Sequence, residues 1–163
     1  MQLLKDPIVD FADFDVNRLI ADKATIETYI PHRGEMSFLD GILFECGDSN
    51  RSVGIKNVQD NEFWVAGHFP QMPVMPGVVA CECAAQLSAY HASRFKMVDG
   101  ILGLGSLDIV KFRGRIVPGD QLVLMISRKK FRPGQLFISH FQIFVEKVLV
   151  VDGLIKGVLL PSP

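Results

Sequence analysis

The sequence is poor in cysteine and in long apolar runs, and both shortages exclude classes of protein. Three cysteines among 163 residues give no disulfide framework of the kind found in small secreted domains. The longest uninterrupted apolar run, residues 122–126, is far short of the ~20 residues that span a membrane as a helix. A disulfide-stapled fold and a membrane-spanning helix are therefore excluded, and a reducing compartment is favoured.

The sequence also lacks net charge, although the charge is unevenly distributed. Lys and Arg number 17 and Asp and Glu number 18, so the chain as a whole is not built to bind nucleic acid. Residues 1–100 carry 8 basic and 14 acidic residues, whereas residues 101–163 carry 9 and 4. The basic second half suits an acidic partner, but ordinary solvated surface charge explains it as simply.

Hydrophobic residues make up 48% of the chain, which predicts one globular domain with a substantial core. The N-terminal residues lack both the apolar stretch of a secretory signal and the basic character of a transit peptide, so the cytoplasm is the expected location. No metal site is predicted, because Cys81 and Cys83 are two positions apart in a helical stretch and point to nearly opposite sides.

The pattern along the chain predicts two groups of strands separated by one helix. Residues 1–15 have no clear period and predict a loosely placed arm, and residues 15–30 predict an amphipathic helix that ends at Pro31. Residues 38–46 and 52–58 predict two strands joined by a turn. The second part of the chain predicts further strands at residues 101–109, 111–117, 121–132, 136–145 and 148–160.

A helix that is apolar on every side is predicted between the strand groups. Residues 78–93 contain one formally charged residue before the helix end, Glu82, which is typical of a buried helix. Pro76 and Gly77 mark the start of this helix. Several long strands with one buried helix predict the α+β class, in which an antiparallel sheet curls around a central helix.

Two titratable residues near this helix are candidates for catalysis. Glu82 is costly in a buried helix unless it is paired or functional, and Gln86 is placed one turn later to hydrogen-bond it. His68 lies in a loop, residues 67–77, that three prolines make extended and stiff, and a neutral imidazole is the usual general base. The structural alternatives stay open: a carboxylate satisfied by Gln86, and a histidine that lies at the surface.

The start of the helix is a third candidate site. The free N–H groups around Gly77 and Val78 carry the positive end of the helix dipole, which stabilises a developing oxyanion. Glycine at position 77 also lets a substrate approach the backbone closely. The alternative is that Gly77 is simply a turn residue.

Residues 67–86, GHFPQMPVMPGVVACECAAQ, closely resemble the signature of the 3-hydroxyacyl-acyl carrier protein dehydratases of fatty acid synthesis, most of all the FabZ type. Glutamate at the helical acid position agrees with this type, whereas the isomerising sister type carries aspartate. The resemblance covers about residues 23–160. Further segments match at the expected intervals: Pro31-His32-Arg33, Leu39-Asp40, Lys56-Asn57-Val58, Lys111-Phe112 and Val117-Pro118-Gly119-Asp120-Gln121.

The resemblance implies a fold and an assembly. The fold is the hot-dog fold, a curved antiparallel sheet wrapped around one long helix, for a single domain at residues 23–163. The assembly is a homodimer, often three to a hexamer, with each active site at the dimer interface and with no metal or cofactor. Residues 1–22 extend beyond the family pattern and receive no role.

The resemblance also implies roles for the candidate residues. His68 would take the C2 proton of a 3-hydroxyacyl thioester, and Glu82 of the partner subunit would help the C3 hydroxyl leave as water. The N–H of Gly77 would polarise the thioester carbonyl, and Gln86 would support Glu82. The substrate loop would include four residues near these groups: Phe69, Pro70, Pro76 and Val78.

Acyl carrier proteins are acidic as a class, so basic residues are candidates for docking this partner. Lys111, Arg113 and Arg115 alternate with Phe112, which on a strand would put the three cations on one face. A second basic group precedes a predicted turn and consists of Arg128, Lys129, Lys130 and Arg132. Ordinary solvated charges are the alternative for both groups.

Two departures from the family pattern concern the acyl tunnel and not the chemistry. Gly34 stands where the family commonly has an aromatic residue, and Leu102 and Gly103 occupy the positions of an aromatic pair near the tunnel mouth. Two other functions are retained as alternatives: a hot-dog thioesterase that uses a carboxylate-activated water, and a non-catalytic subunit that only binds acyl carrier protein. Neither requires the His68 loop together with Glu82.

Overall fold

The structure is a computed structural model that describes residues 6–133 and 136–160. Two helices lie within these ranges, α1 (Lys23–Glu27) and α2 (Gly77–Arg94), with a single 3₁₀ turn at Gly34–Met36. The strands are β1 (Ala21–Asp22), β2 (Gly41–Cys46), β3 (Arg51–Asn57), β4 (Leu102–Phe112), β5 (Gln121–Arg132), β6 (Leu136–Val145) and β7 (Val148–Leu159). Neither described helix is long and apolar enough to cross a membrane.

The strands form one antiparallel sheet, and the long helix packs on it. The strand order is β1-β2-β3-β5-β6-β7-β4. α2 contacts the middle strands β3, β5 and β6, and the main hydrophobic core lies between this helix and the sheet. The predicted α+β fold, one long helix against an antiparallel sheet, is confirmed.

The sheet and the segments outside it together cover α2 on all sides except one strip. Eleven residues of the helix are buried, including Leu87 and Tyr90, which are at most 1% exposed. Five positions three or four residues apart are less covered and form one helix face. These positions, called the open strip below, are Val78, Glu82, Ala85, Ala89 and Ser93. The only charged side chain of the open strip is therefore Glu82, which faces away from the core.

The N-terminal segment packs on the outer face of the sheet. Val9 is 1% exposed and belongs to a second hydrophobic cluster with residues of β2, β3, β5 and β6. Arg51 of β3 fixes the same segment, because its Nη1 donates to the carbonyl of Ile8 (3.1 Å). The prediction of a loosely placed arm is therefore wrong from residue 8 onward, while residues 1–5 lie outside the described residues.

The helix predicted for residues 15–30 is also wrong for most of its length. The Asp15 carboxylate accepts the N–H of Asn17 (2.9 Å), a local turn that competes with a helix. The N–H of Ile20 then donates to the carbonyl of Ile42 in β2 (2.8 Å), so the chain is extended at this point. Only the five residues of α1 are helical, and the Asp22 carboxylate caps their first turn.

β4 forms one strand where the sequence predicts two. The predicted strands at residues 101–109 and 111–117 are replaced by a single strand that pairs with β7 through two register shifts. Ile109 has a φ of 55° at the second shift, a local irregularity that interrupts the ladder without ending the strand. β4 pairs only with β7 among the described strands and is an edge of the sheet.

The predicted placement of Lys111, Arg113 and Arg115 on one strand face is wrong, because β4 ends before Arg113. The following residues turn toward the start of α2. Ile116 is 3% exposed, and its carbonyl accepts the N–H of Met75 in the loop that precedes the helix (2.8 Å). The segment after β4 thus lies against the loop that carries His68.

Candidate active site

His68 is fixed by three hydrogen bonds within its own loop. Its N–H donates to the carbonyl of Trp64 (2.8 Å), and its carbonyl accepts the N–H of Val74 (2.8 Å). Its Nδ1 lies 2.7 Å from the carbonyl oxygen of Val74. Since a carbonyl can only accept, Nδ1 carries the ring proton and Nε2 presents a lone pair. The loop therefore prepares Nε2 of His68 to act as a base.

Apolar side chains surround the imidazole at the surface. The Phe69 ring stacks on the His68 ring at a centroid distance of 4.2 Å and is itself 51% exposed. Pro70 is exposed, and Pro76 is half-buried at the N-cap of α2. The predicted loop residues thus lie around His68 and the helix start, with their apolar surfaces open to a partner or substrate.

A buried ion pair anchors the chain just before His68. Lys56 Nζ lies 2.8 Å from Glu62 Oε1, and these side chains are 7% and 12% exposed. Glu62 also accepts the N–H of Gln59 (3.0 Å) and the indole N–H of Trp64 (2.9 Å). Burial raises the pKa of Glu62, but these three donors outweigh it and hold the pKa below its usual value. Because the Trp64 carbonyl accepts from His68, the ion pair helps to position the base.

Glu82 is half-buried on the open strip, with one oxygen engaged. Gln86 Nε2 donates to Oε1 (3.0 Å), the hydrogen bond that the sequence predicts, and His32 Nε2 lies 3.4 Å from the same oxygen. Burial raises the pKa of Glu82, but the contacts with His32 and Gln86 outweigh it, so that the pKa lies below its usual value. Desolvation, the feature that made Glu82 a candidate acid, is the largest single effect on this pKa, but the two contacts together exceed it within one chain.

Gln86 connects this carboxylate to the segment before β2. Its side chain is 1% exposed, accepts the N–H of Phe38 (3.1 Å) and donates to the carbonyl of Met36 (2.8 Å). A buried amide needs such partners, and here they come from two different parts of the chain. Gln86 therefore fixes the position of Glu82 relative to residues 36–38.

The start of α2 offers two unused N–H groups. The N–H groups of Val79 and Ala80 donate to the Pro76 carbonyl (2.9 and 3.2 Å), whereas those of Gly77 and Val78 have no acceptor within the described residues. A Cβ at Gly77 would lie 2.6 Å from the ring of Phe112, so a larger residue here would displace that ring from the helix start. Val78 is 71% exposed. The helix start can therefore receive a developing negative charge.

His68 and Glu82 do not meet within one chain. The hydrogen bonds of His68 go to Trp64 and Val74, and the polar contacts of Glu82 go to His32 and Gln86. No hydrogen bond or ion pair joins the two candidate catalytic groups in the described residues. Each lies at an exposed or partly exposed surface near the helix start.

The predicted docking cations differ in whether they already have a partner within the chain. Arg113 forms an ion pair with Asp152 (2.9 Å), whose side chain is 1% exposed, so Arg113 neutralises a buried carboxylate. Arg128 donates to the side chain of Asn50 through Nε (2.9 Å) and Nη2. The remaining five are exposed and form no ion pair in the described residues: Lys111, Arg115, Lys129, Lys130 and Arg132.

The residues at the expected tunnel gate lie in two different places. Gly34 lines an open cleft of about 330 Å³ together with Phe38 and Phe63. Leu102 and Gly103 of β4 lie against the open strip in a cavity of only about 20 Å³. Within one chain, the space beside the helix is therefore nearly filled at the position of the expected aromatic pair.

Two parts of the site were not singled out in the sequence. His32 was noted only within the matching Pro-His-Arg segment, and nothing in its spacing points to Glu82, which lies 50 positions away. Glu62 is not predicted from the sequence either, because its neighbours Asn61 and Phe63 are exposed and nothing separates it from ordinary surface charge.

Comparison with known proteins agrees with this fold and shows the family. Residues 30–154 match the family model of the FabA-like domain, and the chain belongs to this family. Within the family, two relatives are FabZ 3-hydroxyacyl-[acyl-carrier-protein] dehydratases. The one from Agrobacterium fabrum is 34% identical over 87% of this chain and 92% of its own length. The one from Moorella thermoacetica is 38% identical over 81% and 92%. The predicted family resemblance is confirmed.

Solved structures support the fold alone. The dehydratase heterocomplex ApeI:P from Xenorhabdus doucetiae superimposes with a TM-score of 0.67, covering 89% of this chain and 94% of its own chain, at 17% sequence identity. This likeness confirms the hot-dog architecture and carries no statement about residues or partners.

The buried anchor of the catalytic loop makes a prediction about stability. Glu62→Gln leaves the Lys56 ammonium nearly buried without a counter-charge, and breaking a buried ion pair from one side costs about 3–5 kcal/mol. We expect the free energy of unfolding at pH 7, measured by urea denaturation, to fall by about this amount. The folded-state pKa of Glu62 is lowered, so its contribution is present above the unfolded pKa of about 4.3 and lost as the pH falls through the folded value. The difference between the two proteins should therefore shrink in acid.

The matched control for this prediction is Asp108→Asn. Asp108 pairs with Lys156 in an ion pair whose side chains are 34% and 38% exposed. Exposed pairs contribute at most about 1 kcal/mol, so this variant should stay close to wild type. Equal losses in the two variants would contradict a special role for the buried pair.

Proposed function

We propose that this protein dehydrates 3-hydroxyacyl thioesters carried on acyl carrier protein to trans-2-enoyl thioesters, in fatty acid biosynthesis and in the cytoplasm. The observation that carries the proposal is that one chain holds both reactive groups in prepared form. His68 presents a lone pair at Nε2, and Glu82 keeps one carboxylate oxygen clear of its intrachain contacts. The FabZ relatives at 34% and 38% identity support the same reaction.

The proposed reaction uses the helix start as an oxyanion site. The thioester carbonyl accepts from the N–H of Gly77 while Nε2 of His68 removes the C2 proton. The C–H electron pair forms the C2=C3 bond, and the C3–O bond breaks with its electrons on oxygen. Glu82 donates a proton to this oxygen, and water leaves. The proton on His68 then returns to Glu82 and restores both groups.

Two copies of the chain form the proposed site. The edge strand β4 exposes a row of large apolar residues, among them Leu104 (49%), Ile109 (43%) and Phe112 (57%). An exposed apolar edge strand is a liability that proteins cover. A second copy is the simplest cover, since it brings its own His68 and Glu82. A homodimer is therefore proposed, the trimer of dimers rests on the family resemblance alone, and a different hot-dog chain as partner is an outcome of the test below.

The reaction is tested with purified protein and three substrates: a 3-hydroxybutyryl thioester, a crotonyl thioester and a saturated acyl thioester. We expect loss or addition of water with the first two and no release of free thiol from the third. His68→Ala and Glu82→Gln should each lower kcat by about 10²–10⁴-fold, the contribution of a general acid or base.

Glu146→Gln is the control for these variants, because it removes an exposed carboxylate in the turn between β6 and β7 and should leave kcat unchanged. Free thiol from the saturated substrate would instead identify a thioesterase. A folded protein that is inactive on all three substrates would indicate a subunit that only binds.

The composite site predicts complementation between inactive subunits. A mixed dimer of His68→Ala and Glu82→Gln chains contains one site with both substitutions and one with neither. We expect co-refolded mixtures to regain up to about a quarter of wild-type activity, because half of the dimers are mixed and half of their sites are intact. Native mass spectrometry verifies the exchange. Exchange without recovered activity would place the site within one chain, and a wild-type protein that remains monomeric would point to a different chain as partner.

The carrier protein docks, in this proposal, beside the helix start. Lys111 directly precedes Phe112, whose ring lies against Gly77, and Arg115 directly precedes Ile116, whose carbonyl accepts from Met75. The second basic group lies near the other end of α2, where the charge of Arg128 acts on His91. At 1.5 Å per residue, His91 is about 21 Å from Gly77 along the helix. Lys111 and Arg115 are thus the cations best placed for the carrier.

Charge reversal distinguishes the two basic groups. Lys111→Glu with Arg115→Glu should raise KM for the carrier-bound substrate and leave turnover of a small N-acetylcysteamine thioester nearly unchanged. The effect should weaken with added salt, since exposed charges are screened over about 10 Å at 0.1 M. Lys129→Glu with Lys130→Glu is the matched control. If KM for the carrier-bound substrate rises more in the control, the second basic group is the docking site. If activity falls equally on both substrates, the cations are structural.

A further inference from the structure

His32 contacts the carboxylate of the proposed acid, and we propose that it is a positioning residue that turns Glu82 so that Oε2 faces the substrate. This inference rests on the acid role of Glu82 proposed above and adds a residue to which neither the sequence nor the comparisons gave a role. It predicts which oxygen of Glu82 carries the reactive proton. The observations are the geometry of the carboxylate, the state of the imidazole and the rigidity of the segment that bears it.

The two oxygens of Glu82 are in different situations. Gln86 Nε2 lies 3.0 Å and His32 Nε2 lies 3.4 Å from Oε1, whereas Oε2 takes no hydrogen bond or ion pair within the described residues. The His32 contact is longer than an ordinary hydrogen bond, as catalytic contacts often are before substrate binds. Two donors aimed at one oxygen favour its role as an acceptor. A proton taken up by Glu82 therefore belongs on Oε2.

The imidazole of His32 has the form needed for this contact. Its Nδ1 is buried and has no hydrogen-bond partner in the described residues. A buried N–H without an acceptor is rarer and more costly than a bare acceptor, so the neutral ring keeps its proton on Nε2. His32 thus donates to Oε1 and does not itself exchange the reacting proton.

The segment around His32 is tied down by Arg33. The guanidinium donates through Nη1 to the carbonyls of Ile30 (2.8 Å) and His32 (2.7 Å), and through Nη2 to the carbonyl of Glu27 (2.7 Å). Pro31 restricts the backbone between them, and Ile30 is 3% exposed in the core. A side chain on such a segment can hold a carboxylate in one orientation.

Few titratable groups face Glu82, so a change in its pKa can be assigned to one neighbouring group. His32 is the titratable side chain that acts on it within the described residues, and Gln86 is neutral. Cys83 follows Glu82 on the helix, but burial raises the pKa of its thiol, which stays protonated. In the proposed dimer, His68 of the second copy also faces Glu82. Both histidines can be removed separately.

The test compares His32→Leu with His32→Gln in the dimeric enzyme. His32→Leu removes the donor, so we expect kcat to fall about 10-fold, as for other partners that orient a catalytic group, with little change in KM. The acid works in its protonated form and the base in its neutral form, so each group sets one limb of the kcat profile. Losing a donor to the carboxylate raises the pKa of Glu82, and the limb that Glu82 sets should move to higher pH. His32→Gln keeps a donor and should restore the wild-type limb.

His140→Leu is the matched control, since His140 is also buried with an unpartnered Nε2 but lies in β6. It should leave the limb unmoved. If His32→Leu lowers kcat but the limb of the pH profile that Glu82 sets does not move, the inference is overturned and His32 has only a packing role. If His32→Leu is fully active and Glu82→Gln is inactive, the positioning role of His32 is wrong and the acid role of Glu82 stands. If Glu82→Gln is active, the acid role on which the inference rests is wrong.

A second measurement needs no folded leucine variant. The ring nitrogens of the four histidines in the ¹⁵N-labelled wild-type protein report which nitrogen bears the proton. The signal of His32, assigned with His32→Gln, should show the proton on Nε2 at the pH of maximal activity. A proton on Nδ1, or on both nitrogens, would contradict the proposal.

Discussion

The burial of α2 requires every polar side chain on its covered sides to find a partner, and Gln86 is where this requirement shapes the site. An unsatisfied buried amide costs about 1–3 kcal/mol, so Gln86 has to bind the backbone at Met36 and Phe38. The bonds that satisfy Gln86 also bring residues 36–38 against the helix. Its remaining N–H then reaches Glu82. The acid is thus held by a contact that the core itself needs.

The base is positioned by a different device. His68 lies on a loop, and loops lack the repeated backbone hydrogen bonds that fix a helix. Hydrogen bonds to Trp64 and Val74 supply this rigidity locally, and the buried pair of Lys56 and Glu62 connects the loop to β3. A helix-borne acid and a loop-borne base can therefore meet across a boundary between two chains, because each is held rigidly by its own chain.

The elements that the sequence predicts well are those in which one local signal decides the structure. β5 and β6 begin and end at the predicted residues, since each is bounded by turn residues and the strands follow one apolar pattern. The helix over residues 78–93 differs from α2 by one residue at each end. Its lack of charge reflects burial on nearly all sides.

The sequence predictions that are wrong concern segments whose conformation is decided by contacts with distant parts of the chain. The apolar residues of 15–30 face two different places, Val16 the outer cluster and Ile26 the core, so their helical spacing is coincidental. The cations at 113 and 115 follow an alternating pattern, but Arg113 is needed by the buried Asp152 and the strand ends before it. In both cases a long-range contact decides the local conformation, and periodicity within a short window does not report it.

The surroundings of each ring also explain why the chemistry of the two site histidines differs although their side chains are identical. In His68 the Val74 carbonyl holds the Nδ1 proton, which leaves a lone pair on Nε2. In His32 the buried Nδ1 has no acceptor among the residues that the structure describes, which leaves the proton on Nε2. One ring is thereby prepared to take a proton and the other to donate a hydrogen bond, and in each case the surroundings of Nδ1, the nitrogen that does not face the chemistry, decide the outcome. A residue type in a motif therefore indicates that a site can be present, and the presence or absence of an acceptor at the far ring nitrogen determines what the histidine does there.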